Sequence, residues 1–278
     1  MTFVHRTRDE RVTTMHSKLA LSVIVTAAVA ATPTSAYAAD YHHIHLVAPD
    51  AKEAAAWYIE HMGCEDFGRE GACAVGTTQF IWFEREATGP TVGSGVNHIG
   101  FSFEDLEAKM TGWQAAGLNI ENPGEPIRDV SGLFKLAFLS DPWGTRIEVV
   151  EDHEYLGVHH IHLSSPDPDG TLAWYENIFG GERDSLKGRI GGLRYGGIWL
   201  LVSQLREGTL AATQGRALDH LGWGFPNLDA AAAEIKAKGV EFQLEPRPFT
   251  NPLGQDMRIS FVVGPDDVRI EIVQPPAM

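Results

Sequence analysis

Apolar runs five to seven residues long, closed by Gly, Pro or Asp, alternate with Ala-rich stretches of helical composition along this chain. The runs at 79–84, 134–140, 145–150, 198–203, 258–263 and 268–273 read as strands. Asp50 stands where an N-cap belongs, with Glu53 three residues on, and Gly63, Gly117, Gly180 and Gly239 stand where the helical stretches end. Short turns join the strand runs that follow each helix, which predicts mixed sheets in an α+β fold and not a doubly wound parallel sheet.

The pattern is repeated. Tyr-His-His-Ile-His-Leu-Val-Ala-Pro-Asp at 41–50 returns as Val-His-His-Ile-His-Leu-Ser-Ser-Pro-Asp at 158–167, and each copy leads into a helix carrying Ala-Trp-Tyr. Within each half a fainter echo follows, Val-Asn-His-Ile-Gly-Phe at 96–101 and Leu-Asp-His-Leu-Gly-Trp at 218–223. The chain is therefore a tandem duplication of four strand–helix–strand units. Removing a leader at 1–38, the halves are 39–153 and 154–278.

Each half delivers the same chemistry. Alternation along a strand puts His43 and His45 on one face with His42 opposite, and likewise His160 and His162 against His159. A further His opens the second unit of each half, His98 or His220, and a carboxylate interrupts the last apolar strand, Glu148 or Glu271. Burying such a carboxylate is costly unless it is paired or binds a metal. The spacing from His43 to His98 to Glu148, 55 and 50 residues, runs in step with that from His160 to His220 to Glu271, 60 and 51, so each half offers two His and one carboxylate, a set that holds a divalent metal and leaves positions open. Eight of the twelve His fall in these slots, whereas an isolated His is more often a hydrogen-bonded packing residue.

Composition narrows the partners. With 37 acidic and 22 basic side chains the net charge is −15, which disfavours nucleic acid. Residues 19–31 form a short, predominantly apolar run after Lys18, followed by an Ala-x-Ala site that predicts cleavage after Ala38 and export to the periplasm or beyond. The run is too short to span a bilayer, so no stable membrane insertion is expected after cleavage. That leader carries four basic and two acidic residues, leaving −17. Cys64 and Cys73 either pair in an oxidising compartment or remain buried thiols.

These motifs, with Asp-Pro-Trp-Gly-Thr-Arg-Ile-Glu at 141–148 and Gly-Pro-Asp-Asp-Val-Arg-Ile-Glu at 264–271, resemble the vicinal oxygen chelate superfamily of glyoxalases, antibiotic-resistance proteins and extradiol dioxygenases over nearly all of residues 41–274. The resemblance implies four βαβββ modules paired into two domains with open clefts, and metal ligands at His43, His98 and Glu148 and at His160, His220 and Glu271. It also marks departures. Only Glu84 is a candidate for the fourth ligand of glyoxalases, and Phe138 and Phe261 stand where extradiol enzymes carry Tyr. His45 and His162 are then the candidates for proton transfer or for holding a substrate oxygen, with Arg146, Arg269, Trp82 and Trp199 as candidate substrate contacts. The expected activity is a non-haem Fe(II)-type dioxygenase acting on a small oxygenated substrate. The alternatives are a metal-dependent lyase or isomerase using Zn, Mn or Ni, and a non-catalytic binding protein. Both halves lie on one chain, so a monomer or a homodimer is expected.

Overall fold

The computed structural model describes residues 1–2 and 39–276; the expected leader, apart from its first two residues, lies outside them. The first module comprises β1 (Asp40–Ala48), α1 (Ala51–Met62), β2 (Ala72–Val75) and β3 (Thr78–Glu84). The second comprises β4 (Val96–Ser102), α2 (Leu106–Ala115), the two-residue strands β5 (Asn119–Ile120) and β6 (Arg128–Asp129), β7 (Lys135–Ser140) and β8 (Arg146–Glu151). The third runs through β9 (Gly157–Ser165), α3 (Pro168–Phe179), β10 (Glu182–Leu186), β11 (Ile190–Tyr195) and β12 (Ile198–Gln204). The fourth has β13 (Leu218–Gly224), α4 (Leu228–Ala237), β14 (Phe242–Thr250), β15 (Asp256–Val263) and β16 (Arg269–Gln274).

Local chemistry sets the helix starts. Asp50, Asp105, Asp167 and Asn227 each accept a backbone N–H of the first turn, a cap worth about 1 kcal/mol. Gly63 closes α1 in the left-handed region, where a side chain would be strained. No helix among the described residues is long and apolar enough to cross a membrane.

The modules assemble into two mixed sheets. Their order is β14-β15-β16-β13-β1-β3-β2 in one and β10-β11-β12-β9-β4-β8-β7-β5 in the other, with β6 beside β7. Each sheet turns on a central antiparallel pair, β1 with β13 and β4 with β9, flanked by parallel partners. The first module therefore shares a sheet with the fourth, and the second with the third. The cause lies in the two linkers, which carry the chain from one sheet to the other and pair as they cross: Thr88 donates to Gly215 (2.8 Å), Ala217 to Gly89 (2.9 Å) and Ala211 to Gly93 (2.9 Å).

Apolar faces of both sheets and of the helices merge in one core. On α1, buried Tyr58 stacks near Phe80 and Trp82 of its own sheet and Phe101 of the other, and its hydroxyl donates to buried Asp141 (3.0 Å). On α3, Tyr175 meets Trp223 across the sheets. Trp82, expected at a substrate cleft, thus belongs to the helix side. It pairs with Leu46, while Gln79 and Ile81 pair with His43 and His45 and so face the ligands. Glu84 has the same parity as Trp82 and is exposed, which removes it from the ligand face.

The first module is shorter than the βαβββ pattern implies. Only β2 and β3 follow α1, and the missing strand survives as a bridge between Glu65 and Ala74. Cys64 and Cys73 form a disulfide there, with Cα atoms 5.6 Å apart. In the third module the complete β10–β11 hairpin occupies the matching place. Its turn reaches the far edge of the sheet, where the Arg189 guanidinium donates to the Ser131 carbonyl, and on the way Lys187 bridges Asp152 and Glu154 of the β8–β9 connection (2.8 Å each). One sheet is thus bridged from edge to edge, and the other is left open.

Candidate metal centres

The six expected ligands converge as two triads, but not half by half. His98, Glu148 and His160 form one centre and His43, His220 and Glu271 the other, because β4 pairs with β9 and β1 with β13. The grouping of His43 with His98 and Glu148, and of His160 with His220 and Glu271, is corrected accordingly. Each centre takes ligands from both halves of the chain, and both are complete within one chain.

Strand register explains the geometry. Across β9, β4 and β8 the aligned residues are His160, Gly100 and Glu148; across β1, β13 and β16 they are His43, Gly222 and Glu271. The Gly between two ligands is a space requirement, since a Cβ on Gly100 would lie 2.2 Å from the His160 ring and one on Gly222 would lie 2.2 Å from His43. Gly100→Ala should therefore displace His160 and weaken metal binding at that centre by tenfold or more with the fold retained, as metal titration alongside circular dichroism would show. Unchanged affinity would contradict the packing argument.

Donor atoms sit close together. His98 Nε2 lies 2.8 Å from Glu148 Oε2 and 3.1 Å from His160 Nε2, which is itself 3.1 Å from Glu148 Oε2. In the other centre Glu271 Oε2 is 3.2 Å from His43 Nε2 and 2.9 Å from His220 Nε2. A cation held at roughly 2.1 Å by three donors at right angles separates them by about 3 Å, whereas a tetrahedral site spreads them to about 3.4 Å. The residues present fit a divalent metal bound on one face with further positions free. His162 joins the first cluster within 4.8 Å, so that centre has a fourth candidate donor.

A second layer of hydrogen bonds fixes which nitrogen would face a metal. His98 Nδ1 lies 2.8 Å from Asn97 Oδ1, and His220 Nδ1 lies 2.7 Å from Asp219 Oδ1, so each Nδ1–H donates outward and leaves Nε2 bare. His43 and His160 point Nδ1 at Nδ1 of His42 and His159 (2.9 and 2.7 Å), and His159 Nε2 continues to Asp152 (3.3 Å). Simple alternation places these neighbours on the opposite face. β-Bulges at His42, Asn97, His159 and Asp219 shift the register and bring them back beside the ligands.

Burial sets the electrostatics. It pushes His43, His98 and His160 below the ordinary imidazole range, His98 to about 4, despite the nearby glutamates. For His220 the hydrogen bonds to Asp219 and Glu271 outweigh burial and raise the pKa. Glu148 and Glu271 are buried, yet their His partners overcome that cost and hold both well below the usual carboxylate range. At neutral pH the first centre offers an anionic oxygen and neutral imidazole nitrogens, whereas in the second the raised pKa of His220 favours a proton that a cation would have to displace.

The remaining candidates divide. His45 is buried, stacks on Phe83 at 3.8 Å and lies beside His220; His162 Nε2 contacts Ser203 Oγ while its Nδ1 has no partner. Phe138 and Phe261 pack edge-on against His98 and His220, with Arg146 and Arg269 over their rings. Both arginines are committed. Arg146 forks onto Glu121 and reaches Asn97, and Arg269 binds Asp219 (2.8 Å) and Gln243, so they orient the Asx–His pairs. Trp199 does face the first centre, opposite His160, but is buried beneath Tyr155 with Leu201, Leu136 and Phe134 around it. The second centre instead opens into a cavity of about 570 Å³ walled by His45, Gln79, Phe83 and Phe261.

Two mixed sheets, each cradling two His and a Glu on one face, define a metal-centre fold of paired modules. The chain belongs to the Glyoxalase/Bleomycin resistance protein/Dioxygenase superfamily, whose family model matches residues 40–149 and 157–272. Among solved structures it is similar to a point mutant of glyoxalase I from Zea mays, with 18% identity, TM-score 0.67 and coverage of 86% of this chain and 93% of that one. A candidate dioxygenase from Bacillus subtilis is similar at 17% identity and TM-score 0.60, with 86% of each chain covered. At such identities the likeness is one of fold. No curated protein matches the sequence.

Proposed function

We propose that the chain is a divalent-metal-dependent enzyme of the dioxygenase type, working with Fe(II) at the centre formed by His43, His220 and Glu271. The observation that carries this reading is the opening of that three-donor face into the 570 Å³ cavity. A metal there supplies a Lewis-acidic site for two neighbouring substrate oxygens and room for a further ligand. Among the described residues, the ligand faces of β3 and β12 carry Gln79, Ile81, Trp199 and Leu201 but no second carboxylate, which weighs against the glyoxalase-type lyase or isomerase.

His45 is the candidate for proton transfer. Its Nδ1 lies 3.4 Å from the Leu46 carbonyl, and burial keeps the ring neutral, so Nε2 is free to accept a proton or a substrate hydroxyl. The centre of His98, Glu148 and His160 serves stability in this reading, because the β10–β11 hairpin bridges its cleft and Trp199 fills it. His162 then acts as a positioning group or fourth ligand.

Anaerobic loading with Fe(II) followed by oxygen-uptake measurements on a panel of catechols and enediols tests the proposal. Uptake that requires Fe(II), vanishes in His220→Ala and falls in His45→Ala at unchanged metal content is expected. Oxygen-independent turnover with Zn, Mn or Ni would transfer the assignment to the lyase or isomerase class. Export is part of the proposal and is supported by the Cys64–Cys73 disulfide. An intact mass beginning at Ala39 is the expected outcome in the secreted or periplasmic fraction, and retention of residues 1–38 would contradict it.

A further inference from the structure

The cavity over the second centre reverses the charge of the protein around it. The chain stands at −15, yet among the described residues Glu271 is the one carboxylate lining this cavity, and it is committed to His43 and His220. Three arginines line the same space. Arg269 is neutralised by Asp219, whereas Arg69 and Arg247 have no carboxylate or hydrogen-bond acceptor among the described residues. They approach from opposite rims, Arg69 from the loop between α1 and β2 and Arg247 from edge strand β14, at the two ends of the sheet. Arg69 is half-buried, and burial lowers its pKa against the opposing charge of Glu271, so a guanidinium has been partly desolvated without a hydrogen-bonded or ion-paired partner among the described residues, while Arg247 is exposed. Between and around them the walls are apolar: Phe83 and Phe261 inside, Phe67, Phe249 and Leu253 exposed at the mouth.

Among the described residues these two guanidinium groups, beside a candidate cation site in an acidic protein, have no hydrogen-bonded or ion-paired partner. Their natural counter-ion is a ligand, and the apolar walls specify the rest of it. The geometry points to an amphipathic organic anion as the substrate class: an aromatic or branched apolar body whose carboxylate or sulfonate meets Arg69 or Arg247 at the rims while its other end faces His43, His220 and Glu271. This rests on the proposed role of that centre for its catalytic meaning, but the binding site stands on the cavity alone. Long-range repulsion from the net charge is overcome locally by these two residues, and not by Arg146 or Arg269.

Dye binding separates the two ideas. The probes are 8-anilinonaphthalene-1-sulfonate and its uncharged analogue N-phenyl-1-naphthylamine, titrated into the purified protein and into Arg69→Gln, Arg247→Gln and the double variant, with metal content measured on the same samples. The double variant should bind the sulfonate about tenfold more weakly or worse, with the neutral dye and the metal content unchanged. Equal weakening of both dyes, or no change in either, would overturn the anion site. Failure of oxygen uptake with the sulfonate result intact would remove the dioxygenase reading and leave this one standing.

Discussion

His160→Ala should empty the metal centre of the other half's residues, His98 and Glu148, and leave the centre containing His220 and Glu271 loaded. A protein binding two equivalents of metal would then bind one. The reason is register: His160 lies across Gly100 from Glu148, with Nε2 3.1 Å from both the carboxylate and His98 Nε2. Loss of one of three protein donors is expected to cost at least a hundredfold in affinity, since even outer-layer changes cost ten- to a hundredfold. His43→Ala should mirror this by emptying the centre of His220 and Glu271. The double variant His98→Ala with His160→Ala should lose the same single equivalent as either change alone. If it loses both equivalents, the ligands group within halves.

Removing the metal should lower stability sharply, and the metal-free protein should be weakest in acid. At a metal concentration a thousandfold above Kd each centre contributes about 4 kcal/mol, so emptying both by chelation is expected to lower Tm by about 20 °C. The sign of the pH effect follows from the shifts. His43, His98 and His160 are bases whose folded pKa is depressed, so the unfolded chain takes up protons near pH 6.5 while the folded chain does not. Their contribution is full above about pH 6.5 and is lost as pH falls toward the folded values, and His98, falling to about 4, accounts for about 3 kcal/mol of it. Glu148 and Glu271, also depressed, contribute above the ordinary glutamate range and lose that contribution below it. His220, raised, works the other way and offsets part of the loss. Metal-free protein should therefore unfold on acidification from pH 6.5 to 4, and metal should carry the transition to lower pH. Equal acid stability with and without metal, followed by tryptophan fluorescence, would contradict this.

All six ligands stand out in the sequence because each is a polar residue in an otherwise apolar strand, repeated at matching intervals. Their partners do not. His43 heads β1 whether that strand pairs with β4 or with β13, and the choice is made by the two linkers, 85–95 and 205–217, whose backbone hydrogen bonds to each other leave no trace in hydrophobic periodicity. Parity along β3 was equally hidden: Trp82 or Phe83 could face the ligands until the pairing of Gln79 with His43 decided it. Bulges explain the other miss. Alternation sends His42 and His159 away from the site, but the doubled His in both repeats is the signal that an extra residue returns them to it. Arg146 and Arg269 were visible by position, yet only contacts reveal that Glu121 and Asp219 already hold them, whereas Arg69 and Arg247 carry no motif at all.

Anomalous diffraction from crystals soaked in Mn(II) locates the metal positions. Two ions per chain are predicted, one about 2 Å from His98 Nε2, His160 Nε2 and Glu148, the other equally near His43 Nε2, His220 Nε2 and Glu271. An ion shared by His43 and His98, or no ion at either triad, would contradict the account.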